Sequence, residues 1–205
     1  MTEPDEPGSV GGSSYHPAEP AWPLPVVERP EPIRARKLAR IALAEGRLVF
    51  RGWSLGGCYG ADAVAAHRDV GQPAHPAPDP TGQCRDCGFH ALRHLDATWS
   101  VVLDVELFGT VVAHSRGWRA SRQRVLTCWL DPSCRLCGAR PTGLGYAARL
   151  GEPQGVFAVC SACRVQTIAL ADAAGHLGCE VRWRPLDGLP PMSAWRCVSK
   201  GVVEP

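Results

Sequence analysis

The sequence predicts an α+β fold, mostly β: a small curled antiparallel sheet carrying a Cys/His loop, followed by a hairpin clasped by two cysteine turns. Three observations carry this reading. Cys134-Arg-Leu-Cys137 and Cys160-Ser-Ala-Cys163 are Cys-x-x-Cys turns separated by a segment long enough for a hairpin. Residues 99–108 and 110–114 are rich in alternating and β-branched residues, as half-buried strands are. Cys84-Arg-Asp-Cys87 is a third cysteine turn, set in a loop-rich stretch, 56–90, that also holds Cys58, His67 and His75.

Taken in order, residues 1–30 are rich in proline, glycine and serine and lack an apolar period, so they read as a disordered tail. Residues 31–130 are expected to form a helix plus a β domain. Ile33, Leu38, Ile41 and Leu43 fall near helical spacing, Pro32 suits a first turn and Gly46 a stop, which predicts a helix at about 32–45. Leu48–Trp53 reads as a strand. In the next pair of strands Gly109 is expected to break the first from the second, and Ser115-Arg116-Gly117 to turn the chain into Trp118–Leu130. Residues 131–205 are expected to hold the cysteine-clasped hairpin, to about 165, and an irregular extension. Within that extension 165–174 forms a helix or a strand and 180–184 a strand, with Pro185, Pro190 and Pro191 beyond.

The cysteines point to metal. Each Cys-x-x-Cys turn supplies half of a tetrahedral shell, so Cys134, Cys137, Cys160 and Cys163 together match a closed structural zinc site of the zinc-ribbon type. Gly138 eases the first turn, and Val156–Val159 leads into the second as a strand would. A second zinc site, Cys₃His, is expected from Cys58, His75, Cys84 and Cys87, because the loop after His75 runs directly into the Cys84 turn. His67 and His90 are the alternative nitrogen ligands. The expected cofactor is therefore Zn²⁺ at two sites.

The string Cys58…His75-x-Ala77-Pro78…Cys84-x-x-Cys87-Gly88-Phe-x-Ala91, then Gly109-x-Val111-Val112-x-His114-x-x-Gly117-Trp118-Arg119-Ala120, resembles an uncharacterised family of small Cys/His metal-binding β domains in high-GC bacterial proteins. The resemblance covers about residues 47–126. It departs from the family pattern in its Cys-x-x-Cys turn, where the family has Cys-x-Cys, and at Phe108-Gly109-Thr110. It implies a metal-bearing β domain with Cys58, His75, Cys84 and Cys87 grouped, and implies no activity.

Other residues suggest a surface. His114, Arg116, Trp118, Arg119, Arg122 and Arg124 lie close in sequence, and Arg122 and Arg124 on a strand would share a face with Trp118, as a phosphate-and-stacking surface does. The competing reading is a solvated, charge-protected sheet edge. Catalytic patterns fare poorly. No His-x-Glu accompanies the cysteines, Pro132-Ser133-Cys134 inserts a residue into the deaminase spacing, and no His-Glu-x-x-His, Walker loop or Gly-x-Gly-x-x-Gly occurs. Cys128, Cys179 and Cys197 are left over as candidate buried thiols.

Composition bounds the rest. Ten cysteines, an acidic start at Met1–Glu6 and no following apolar segment argue for reduced or metal-bound thiols in a cytoplasm. No run approaches the ~18–20 apolar residues of a membrane helix. A net charge of +2, carried by arginine with Lys37 and Lys200 as the only lysines, does not by itself imply nucleic acid. The sequence thus favours a non-catalytic zinc-stabilised binding or adaptor protein with a protein or nucleic-acid partner. The alternatives are a zinc- or thiol-responsive regulator and a zinc-dependent enzyme.

Overall fold

The computed structural model describes residues 26–52, 58–64, 88–92, 95, 101–114, 117–146, 154–163 and 166–190. They are mostly β, with one helix, as the fold class requires. In chain order the strands are β1 (Val26–Leu38), β2 (Arg40–Ala44), β3 (Arg47–Arg51), β4 (Cys58–Tyr59), β5 (Asp62–Val64), β6 (Phe89–Leu92), β7 (Val101–His114), β8 (Gly117–Leu130), β9 (Gly143–Tyr146), β10 (Gln154–Val159), β11 (Thr167–Ile168) and β12 (Glu180–Trp183); the helix α1 is Leu170–Leu177.

The first sheet is built on the long β7–β8 hairpin. β1 runs along the free edge of β7, and β6, β5 and β12 lie in succession along the other edge of β8. Arg36 of β1 also pairs with Leu92 of β6, so the pairing β1–β7–β8–β6 returns on itself and the sheet is curled. The second sheet has the order β11-β9-β10-β2-β3-β4. β1 passes into β2 through Ala39, so one stretch of chain serves both sheets. Phe50, Ile41 and Leu48 of the second sheet pack on Leu103, Val105 and Leu107 of the first, in one continuous core.

The helix expected at 32–45 is not formed: these residues lie in β1 and β2, and β1 begins at Val26, inside the expected tail. Ala35, Lys37, Ala39 and Ile41 are all buried, a period of two that the lysine conceals in a reading of apolar residues alone. Pairing with β7 and β3 then overrides a weak local preference. Pro30 and Pro32 fit because the β1–β7 ladder shifts register between Arg29 and Ile33, where missing N–H donors do least harm.

Gly109 does not break the strand but bulges it. It has φ +76°, and the β7–β8 ladder slips between Phe108 and Val111. The Thr110 N–H is taken up by Ser121 Oγ at 3.0 Å, and a Cβ on Gly109 would stand 2.4 Å from that oxygen. The division expected between 130 and 131 does not separate the sheets, because β10 pairs with β2 and β12 adds to β8. Beyond the hairpin, β12 forms within the strand expected at 180–184, and the 165–174 segment expected as a helix or a strand holds β11 and the start of α1.

Candidate metal centre

The two cysteine turns are brought together by the hairpin between them. β9 leaves the first turn, β10 returns antiparallel to it with Val159 opposite Gly143, and the second turn follows at once. The first turn closes on itself: Gly138 N–H donates to the Cys134 carbonyl at 2.9 Å, and Gly138 adopts φ +75°, a left-handed conformation natural to glycine. Cys134 N–H donates to Ala139 O at 2.7 Å. The turn is sewn to the hairpin by Arg135 N–H to Ala158 O and Thr142 N–H to Val159 O, each 2.8 Å. Residues Ser161–Cys163 form a 3-10 turn with Cys163 N–H directed at Cys160 O, 3.2 Å away.

All four sulfurs consequently lie within 4.8 Å of one another. The separations are 3.7 Å for Cys134–Cys163, 3.4 Å for Cys137–Cys160, 3.6 Å for Cys160–Cys163 and 3.5 Å for Cys137–Cys163. These are far longer than the ~2.05 Å of a disulfide. They are close to the edge, about 3.8 Å, of a tetrahedron drawn at a metal–sulfur distance of about 2.3 Å. The cluster can hold a metal ion. Cys134 and Cys160 are buried with Val159 in a small apolar cluster, covered by Phe157, that is separate from the main core.

The sulfurs are electrostatically coupled. Burial pushes the Cys134 thiol up, but backbone N–H groups of Leu136, Cys137 and Cys160 point at it and win, bringing it down to about 6. Hydrogen bonding with Cys137 and then Cys160, with burial and the Cys134 charge adding to it, pushes Cys163 up to about 12. The Cys134 thiolate therefore forms readily, whereas Cys163 holds its proton until a cation arrives.

Of the second expected site, Cys58 is exposed on β4, opposite Arg51, and takes no part in the four-sulfur cluster. His75, Cys84, Cys87 and the alternative His67 lie outside the described residues. His90 is exposed on β6, opposite Arg119. Two described neighbours bear on this group. Gly88, which follows Cys87 as Gly138 follows Cys137, has φ +88°. The ring of Tyr59, next to Cys58, packs edge-on against that of Phe89 with centroids 5.6 Å apart.

The expected binding surface is only partly a surface. Arg122 and Arg124 are exposed on β8 and flank the Phe108 ring, with guanidinium carbons 5.4 and 6.0 Å from its centroid. Arg124 also binds Asp62 at 2.9 Å. Trp118, by contrast, packs half-buried against the core, and Arg119 is buried. Gly117, expected at a turn, is pinned for a different reason: a Cβ there would meet Ala91 O at 2.0 Å, so β6 can approach β8 only over a glycine. Arg116 lies outside the described residues, and His114 closes β7 opposite Gly117.

Sequence reasoning missed the polar groups inside the core. Asp104 of β7 accepts from Arg36 Nε at 2.8 Å and from the Trp129 indole; burial raises its carboxyl above the ordinary range, and these two partners only partly offset that. Lys37 is buried nearby, on the other face of β1. The chain also contains Gly52-Trp53-Ser54-Leu55-Gly56, a Gly-x-Ser-x-Gly string. A nucleophile elbow needs a strand-to-helix turn, whereas this string joins β3 to β4, two antiparallel strands of one sheet. Cys128 is buried in the core and its thiol lies well above the usual value through desolvation, while burial and then Glu180 push Cys179 up to about 12. Neither is poised as a thiolate. Cys197 lies outside the described residues.

Comparison with protein-family models, with curated proteins and with solved structures finds no match to this chain. No helix among the described residues is long and apolar enough to cross a membrane.

Proposed function

We propose that this chain is a non-catalytic, zinc-stabilised binding or adaptor protein. The four-sulfur cluster carries the reading. Four protein thiolates at tetrahedral separations fill the coordination shell of zinc and leave no position for substrate or water, which is the design of a structural site rather than a catalytic one. When bound, the ion supplies folding free energy to two turns whose own apolar cluster is only Cys134, Val159 and Cys160. We assign the second zinc to Cys58, His75, Cys84 and Cys87. The left-handed Gly88 and the Tyr59–Phe89 contact support that assignment from its described neighbours.

The partner is a protein. Among the expected surface residues Trp118 packs against the core, Arg119 is buried and Arg124 is already paired with Asp62, which leaves too thin a cationic strip for strong phosphate binding. Zinc loss with opening of the clasped hairpin is the route by which the same protein would act as a regulator.

Elemental analysis of the purified protein tests the metal reading: two zinc ions per chain are expected, falling to one in Cys160→Ser. Absence of zinc, or an iron–thiolate absorption spectrum, would overturn it. Titration with labelled single- and double-stranded DNA and RNA tests the partner class. Tight, salt-sensitive binding that vanishes in the Arg122→Ala/Arg124→Ala variant would replace the protein partner with nucleic acid.

A further inference from the structure

Lys37 stands in the core between the two sheets, opposite Leu103 of β7 and on the face of β1 that carries Ala35 and Ala39. Four strands close around it. Its Nζ donates to Gln123 Oε1 of β8 at 3.0 Å, and lies 5.1 Å from the ring centroid of Tyr59 on β4 and 5.2 Å from that of Phe89 on β6. Gln123 Nε2 and the Tyr59 hydroxyl are buried beside it with no hydrogen-bond partner among the described residues.

The groups facing the amine are a phenol, a phenyl ring, a carboxamide and leucine. The buried thiol of Cys128 lies farther along β8, and the buried carboxylate, Asp104, sits with Arg36 on the opposite face. No described carboxylate pairs with Lys37. A charged amine here has one oxygen for three N–H bonds, and two ring faces do not replace lost hydration. The chain draws its other cations almost wholly from arginine, which stays charged when buried; lysine can give up its proton.

We propose that Lys37 is a proton-operated latch on the seam where β4 meets β1, β6 and β8: neutral, it lets the seam close dry; protonated, it drives the seam open so that the amine reaches water. β4 is where opening costs least, being two residues long and, among the described strands, paired with β3 alone. Burial brings the amine down to about 7, so the latch works around neutrality. The opened or unfolded chain, with an ordinary lysine at about 10.4, binds more protons than the closed one between about pH 7 and 10. The closed state therefore gains stability as pH rises through that window and is least stable below it.

The full, metal-loaded chain labelled with ¹³C at lysine has two lysine signals, from Lys37 and Lys200. One signal is expected to titrate near 7 and to be missing from Lys37→Met; both titrating at ordinary lysine values overturns the latch. Hydrogen exchange reads the opening. After correction for intrinsic rates, peptides covering β4 and β6 should open about tenfold more for each unit of pH lowered between about 9 and 7, then level off. Exchange independent of pH, or the same dependence in Lys37→Met, overturns it as well.

Discussion

At the four-cysteine cluster the ligand atoms come from two short turns, and each turn is complete within a few residues of chain. At the Lys37–Gln123 and Arg36–Asp104 contacts, the partners are 86 and 68 residues apart and meet only because β1 lies along β7 and near β8. The first region has a small apolar cluster of three buried residues, Cys134, Val159 and Cys160, set apart from the main core. The second straddles β1: Lys37 and Gln123 meet on the face of Leu103, Val105 and Leu107 in the main core, and Arg36 and Asp104 are buried on the opposite face. The contrast separates two ways of stabilising a β protein: a local clasp whose four sulfurs can hold a metal ion, and a long-range core whose apolar burial outweighs the cost of the polar groups it encloses.

Breaking the clasp should have the larger effect. Cys160→Ser is expected to lose the metal at that cluster and unfold both turns and the β9–β10 hairpin, by metal content and loss of exchange protection, while β7 and β8 stay protected. If β7 and β8 unfold too, the two regions are one cooperative unit and the contrast fails. Next, Asp104→Ala leaves Arg36 and the Trp129 indole buried without their acceptor and should cost about 3–5 kcal/mol in denaturant unfolding, with metal content unchanged. A cost below about 1 kcal/mol would mean that water reaches the pair.

The clasp should also respond to pH in its own way. Its thiols must lose protons to bind metal, and Cys134, at about 6, is the first to ionise. Metal retention, followed against a chromophoric chelator, is expected to hold above pH 7 and to fall steeply below about 6, when the last ready thiolate is protonated. Cys128→Ser is a smaller perturbation: a hydroxyl replaces a buried thiol in the core, costing about 1–3 kcal/mol with full metal occupancy. Metal loss in that variant would break the separation between the regions. The smallest effect is expected from Arg122→Ala/Arg124→Ala, below about 1 kcal/mol, since the Arg124–Asp62 pair is exposed and screened.

What could be read beforehand follows the same division. The β7–β8 hairpin, the strand before Cys160 and the grouping of Cys134, Cys137, Cys160 and Cys163 were legible because each rests on local periodicity or spacing. The 32–45 region was misread because Lys37 interrupts the apolar alternation while facing the core like its neighbours Ala35 and Ala39. Trp118 and Arg119 were taken for surface because their types are common there, although Trp118 packs half-buried against the core and Arg119 is buried.

The sequence by itself determined the mostly β character and the sulfur cluster, because strand alternation and Cys-x-x-Cys turns are short-range codes that a few residues complete. Only the tertiary structure decided that β1 and β2 are strands, that the clasped hairpin joins the second sheet through β2, and that Lys37 and Asp104 are buried. Those outcomes depend on which distant strands pair, and the free energy of that pairing belongs to the partners together rather than to either segment alone.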